Sequence, residues 1–192
     1  MMRQWVGTLA LLIGLWAGLS VICSGVEKTR AGAAHAKKIK VAVITGGHGF
    51  KKREFLKLFE GYDDVAYKHL PQQVGGEVFD DVSHWSYDVI VLYNYNQRIT
   101  PKQQKNFLKL LDRGVGLVIL HHANGAYHNW PLFWKIAGVE YHFAPWKKNG
   151  ARMARSGHKN GVRFRIHVAD PKHPITRGLA DYDFVGETYC RT

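Results

Sequence analysis

The sequence predicts an α/β fold built on an open, mainly parallel sheet, and three stretches carry that expectation. Leu117, Val118, Ile119 and Leu120 form an unbroken apolar run between a glycine and a block of polar residues. That is the signature of a central strand buried on both faces, which belongs to parallel sheets. Lys38 to Thr45 is a second run that becomes continuously apolar as it proceeds. Between them lie a strand at Tyr87 to Tyr93 and a helix opened by Thr100-Pro101-Lys102-Gln103, a capping box with proline at the first helical position. Phe107, Leu110 and Leu111 then recur on one helical face before Gly114. Strand, capped helix, glycine and strand make a βαβ crossover.

The 192 residues suffice for one domain with appendages, and an apolar fraction of 46% is ample for a packed core. The formal charge of +12 is shared with an N-terminus of a different kind. Arg3 precedes an almost entirely apolar or small stretch from Trp5 to Cys23, and Ala34-His35-Ala36 offers an A-x-A cleavage site. Residues 1–36 are therefore expected to be a signal peptide, with an uncleaved membrane anchor as the alternative. The residues before Cys23 make a poor lipoprotein box. Export to the periplasm or the extracellular space follows from cleavage. Cys190 would then be the one cysteine left, with no internal disulfide and no base in the surrounding sequence to activate it.

In the mature chain the first strand ends in Gly46-Gly47-His48-Gly49. A glycine-rich turn there suggests a phosphate cradle, but the G-x-G-x-x-G spacing and a following Gly-Lys-Ser/Thr are both missing, so no nucleotide cofactor is expected. Lys51 to Glu60 places Phe55, Leu56 and Phe59 on one helical face and stops at Gly61. Val65 to His69 is a short strand. Trp130 to Gly138 is a short aromatic helix. Trp146 to Arg165 carries seven Lys and Arg with no acid and no steady apolar period, and is expected to be mostly exposed loop rather than a specific nucleic-acid surface. Phe164 to Val168 alternates like a strand near the sheet's edge, and the prolines around His173 predict a stiff loop.

Chemistry is expected where strands of an open α/β sheet end. There the chain offers His121-His122-Ala123-Asn124-Gly125, in the position of a nucleophile elbow but with imidazole in place of Ser or Cys. Imidazole suits proton transfer near neutral pH or metal ligation. His48 and Asn94, following other strands, face the same rim.

These residues carry a family resemblance. Gly46-Gly47-His48, the Gly-Leu-Val-Ile-Leu-His121-His122-Ala123 strand end, the Gly138 to His142 segment, and Asp170-Pro171-Lys172-His173-Pro174-Ile175-Thr176-Arg177-Gly178-Leu179 followed by Glu187-Thr188-Tyr189 together resemble the ThuA-like (trehalose utilisation) family. The resemblance implies a class I glutamine amidotransferase-like fold, a flavodoxin-like doubly wound sheet with helices on both faces. Histidine stands where amidotransferases carry cysteine, so glutamine amidotransfer is not expected. It also implies an association with trehalose-related sugars or keto-sugars. Two departures accompany it: Ala137-Gly138 where the family usually has a second glycine, and an end at Thr192 where members continue through a further strand and helix, so the C-terminal closing elements are expected to be lacking.

The functional expectation is a hydrolase-like or isomerase-like enzyme acting on a small carbohydrate. His121, His122 and Glu187 are its catalytic candidates, and His48, Tyr93, Asn94, Trp130, His142 and His173 its substrate-binding candidates. His122, His142 and Glu187 could converge on a divalent metal, zinc being the best match to imidazole and carboxylate donors. The competing reading is a non-catalytic carbohydrate-binding module in which aromatic faces stack on sugar and the histidines only hydrogen-bond.

Overall fold

A computed structural model describes residues 37–190. The expected leader, residues 1–36, lies outside the described residues. Four strands form a parallel sheet: β1 (Ile39–Gly46), β2 (Val65–Pro71), β3 (Val89–Asn94) and β4 (Gly116–Ile119), in the order β2-β1-β3-β4. This is the doubly wound, flavodoxin-like order, in which the chain reverses direction between β1 and β3.

The inner strands alternate with a period of two, yet both faces are apolar. Val41, Val43 and Val91 point to one side and pack on Phe55, Leu56 and Phe59. These belong to α1 (Lys52–Leu56) and the 3-10 turn that continues it (Lys57–Phe59). Ile44, Ile90 and Leu92 point to the other side, against Phe107 and Leu110 of α2 (Pro101–Asp112) and Phe133 of α3 (Pro131–Ala137). Helices therefore cover both faces.

Helix α2 shows how local sequence fixes an element's ends. The Thr100 hydroxyl accepts from the Gln103 backbone N–H, and the Gln103 side chain accepts from the Thr100 N–H at 2.8 Å, so two otherwise unpaired donors are satisfied. At the other end Gly114 takes φ +82°, its N–H bonding Leu111 O while Val115 N–H bonds Leu110 O. That pair of bonds is a Schellman motif, and the left-handed residue it needs is glycine.

Three expectations are corrected. Strand β4 is not central: β1 and β3 hold the middle of the sheet, β4 is last in the order among the described residues, and Val118 is 42% exposed. An apolar run reports side chains suited to burial, whereas position in the sheet is set by which strands pair. The stretch from Trp146 to Arg165 is not mostly loop. It forms a hairpin of β5 (Trp146–Lys148) and β6 (Ala151–Met153), then most of β7 (Gly157–Ile166). Asn149 and Gly150 sit at φ +51° and +83°, the two left-handed residues of a tight hairpin turn. Its strands are solvated, so no apolar alternation announced them. Finally, Phe164 to Ile166 does not edge the main sheet: β7 pairs antiparallel with β8 (Tyr182–Cys190) in a separate two-stranded ribbon. The loop around His173 forms turns between them.

Candidate active site

Backbone N–H of Leu120 bonds Leu92 O, carrying the β3–β4 pairing to the last residue before the turn. His121 then takes φ +53°, a left-handed conformation costing about 1 kcal/mol for a residue with a Cβ. A 3-10 helix, His121–Gly125, follows at once. The sharp reversal holds His121 out over the sheet end, its side chain 42% exposed, while His122 turns inward and is 3% exposed.

The glycines after β1 serve this rim by letting chains pass closely. A Cβ on Gly47, which sits at φ +67°, would lie 1.9 Å from the Tyr95 carbonyl oxygen, and one on Gly46 would lie 2.4 Å from that of Gln72. The tight crossing brings His48 face to face with His122, ring centroids 4.3 Å apart. Tyr93 lies 4.4 Å from His122, and Tyr95 meets it edge-on at 5.7 Å.

The opposite wall comes from the ribbon. Glu187 and Tyr189 are two apart on β8 and so share a face, and His158 of β7 is the register partner of Tyr189. The register slips between Lys159 and Val162, with Gly161 at φ +67°. Such a bulge bends the strand and re-aims neighbouring side chains. The result is a cleft of about 320 Å³, with Tyr141 between its two walls.

Across the cleft Tyr189 Oη stands 2.5 Å from His121 Nδ1 and donates to Glu187 Oε2 at 3.1 Å. His121 Nε2 is 3.2 Å from Glu187 Oε2, and His158 Nε2 is 3.6 Å from Glu187 Oε1. The single phenolic hydrogen can go either way. Donated to Glu187, it requires an N–H at His121 Nδ1; donated to His121, it leaves the proton on Nε2, facing the carboxylate. A proton can thus be relocated along three side chains without moving a heavy atom.

Burial and the adjacent His48 and His121 rings hold His122 well below the ordinary imidazole range, at about 4, so it is neutral at neutral pH. Neither of its ring nitrogens has a hydrogen-bond partner of acceptable geometry, the nearby Tyr93 backbone exerting only a weak opposing pull. The phenols of Tyr95 and Tyr189 are pushed up, first by burial and then, for Tyr189, by the Glu187 carboxylate. They stay protonated and act as hydrogen-bond donors.

Of the residues expected from sequence, the structure brings His48, Tyr93, His121, His122 and Glu187 together. Asn94 is fully buried beneath the rim, donating to Gln97 Oε1 at 3.1 Å. Trp130 is 5% exposed and packs on Phe107 and Phe133 in the core. His142 stacks on Trp146 at 3.8 Å and meets Glu140 at 3.1 Å, outside the cleft. His173 stays within its own turn, its Nδ1 accepting the Ile175 N–H. The trio His122, His142 and Glu187 is therefore not assembled.

The stacked pair His48 and His122 does not suit a shared metal ion. A ring nitrogen's lone pair lies in its ring plane, and the nearly parallel His48 and His122 planes cannot both contain one ion between them. Among the described residues no group of three or more His, Cys, Asp or Glu side chains converges as a metal site. Sequence reasoning did not single out His158 and Tyr141, and passed over Tyr189. The Glu187-x-Tyr189 spacing places those two on one face, but the pairing with His158 depends on a register that only the folded ribbon fixes.

A flavodoxin-like sheet with a histidine turn where related folds carry a nucleophile defines the class of protein. Residues 40–192 match the ThuA family, described as trehalose utilisation, and the chain belongs to it. A crystal structure of a ThuA-like protein from Parabacteroides merdae superposes with a TM-score of 0.62 at 21% identity, over 80% of this chain and 63% of that one. This chain thus spans under two thirds of that relative's length, and the likeness is one of fold. No curated protein matches the chain.

Proposed function

We propose that this protein acts on a small, uncharged carbohydrate by acid–base chemistry, with His121 and Glu187 exchanging the proton and Tyr189 linking them. The observation that carries this reading is the contact of all three side chains at the mouth of an aromatic-lined cleft. The cleft's lining includes one carboxylate and no lysine or arginine, which suits a neutral polyol better than a sugar phosphate. Tyr95 and Tyr141 offer apolar faces with polar tips, as sugar rings require.

In this scheme His121 or Glu187 takes a proton from a substrate hydroxyl, or from the carbon beside a keto group, and Tyr189 passes it along. The outcome is hydrolase-like or isomerase-like. The family's link to trehalose utilisation favours disaccharides of that kind and their keto derivatives as first candidates. No step of this scheme is routed through a metal ion.

The test is a screen of the full chain against trehalose, other glycosides and their keto derivatives, repeated with His121→Ala. Turnover of a neutral sugar that His121→Ala abolishes supports the reading. Saturable binding without turnover of any of them replaces it with the carbohydrate-binding module. Export is part of the same proposal, resting on the apolar N-terminal stretch and the Ala34-His35-Ala36 site. Protein recovered from its host should begin near Lys37, and an intact Met1 on a cytoplasmic protein would refute cleavage.

A further inference from the structure

A second cavity lies apart from the histidine cleft. It measures about 780 Å³ and lies between the end of α3 and the β5–β6 hairpin. The segment Tyr141–Phe143 separates the two spaces. Tyr141 and Phe143 lie 6.0 and 5.4 Å from Tyr95 of the histidine cleft. His142, between them, turns the other way, stacked on Trp146 at 3.8 Å and 9° and lying 5.3 Å from Trp134. The segment is pinned by reciprocal bonds: His142 N–H donates to Ser156 Oγ and Ser156 N–H to the His142 carbonyl, both at 2.9 Å.

Three features of this second cleft point to a ligand. Trp134 and Trp146 both line it, and the indole N–H of each is buried with no hydrogen-bond partner. Lys135, Lys147 and Lys148 surround it, and none of them has an ion-pair partner among the described residues. Glu140, the carboxylate present, is already engaged by His142 at 3.1 Å. The cleft therefore joins two indole rings to an excess of positive charge, three lysines against one carboxylate, in a concave space within the size range of small-molecule sites.

We infer that this cleft is a second binding site, for an acidic saccharide carrying a carboxylate. The C–H face of a pyranose ring buries against the indoles. The carboxylate takes the lysines, whose charges a concave surface focuses. A polynucleotide fits less well, because the lysines rim a cavity instead of tracking an extended strand, and one face of Trp146 is already covered by His142. The inference is independent of the reading of the histidine cleft.

The test is a calorimetric titration of the full chain with digalacturonate, with maltose as the neutral probe. Saturable binding of digalacturonate, weakened by salt, is expected, with maltose binding at least about tenfold more weakly. Lys147→Ala with Lys148→Ala should weaken the acidic ligand by about fivefold, and Trp146→Ala by about tenfold. Should Trp146→Ala fail to fold, the exposed lysine pair still decides the matter. Absence of saturable binding, equal binding of maltose, or an affinity untouched by the lysine substitutions would overturn the proposal.

Discussion

The four-stranded sheet and the β7–β8 ribbon meet at the same cleft but are held together by different means. Strands β1 and β3 are buried on both faces, and each face has its own apolar cluster. Neither cluster includes a residue beyond Ala137. The ribbon leaves Tyr182, Phe184 and Val185 about half exposed and relies on its own ladder of hydrogen bonds. Yet it supplies Glu187, Tyr189 and His158. The comparison teaches that packing and the candidate site are separated here: the sheet provides a well-packed rim carrying His121 and His122, and a thinly packed element completes the cleft with Glu187, Tyr189 and His158.

The largest test of that separation is a pair of truncations. Phe107→Ala, in the fully buried cluster, is expected to cost about 3–5 kcal/mol in urea denaturation. Phe184→Ala, on the ribbon, should cost less than about 1 kcal/mol. Similar costs would break the comparison. Next, Glu187→Gln should lower turnover of a responsive sugar by about a hundredfold while leaving the melting temperature nearly unchanged. A collapse in melting temperature would show that the ribbon's carboxylate is structural.

The third is a pH effect located on the sheet's rim. His122 has its pKa depressed from 6.5 to about 4 by burial and by its neighbouring histidines. The unfolded chain therefore binds this proton at a higher pH than the folded one. Its contribution to stability is complete above about pH 6.5 and is lost as pH falls toward 4. His69 and His128, both lowered by burial, act in the same direction. Melting temperatures measured from pH 7 to pH 4 should fall, and His122→Asn should shallow that fall; an unchanged slope would discard His122 as a contributor. The smallest effect belongs to the helix end: Thr100→Ala should cost about 1 kcal/mol through the lost cap, without altering turnover.

How much of this was legible beforehand follows the range of the forces involved. Local signals were sufficient wherever a structure depends on near neighbours in the chain. Thr100-Pro101 to Gly114 specified α2 with both its caps, because each cap bond spans only a few residues. The apolar strands and the polar turn after Leu120 likewise placed His121 and His122 at the sheet's rim. Long-range pairing decided the rest. The place of β4 at the end of the strand order, the solvated hairpin and the separate ribbon all depend on which strands find each other, and a strand's composition carries little of that information. The same holds for the site's second wall. Glu187 was visible as a carboxylate among apolar neighbours, but its contact with His121 spans more than sixty residues and needs the β7–β8 register and its bulge. His142 shows the converse, since it turns away from its neighbours Tyr141 and Phe143 and stacks on Trp146 outside the histidine cleft. The sequence by itself determined the open, mainly parallel α/β class and the histidine rim, through periodicity and capping, and the family resemblance added the doubly wound order. Only the tertiary structure decided which carboxylate, phenol and fourth imidazole meet that rim, because side chains so far apart in sequence are brought together by the pairing of whole strands.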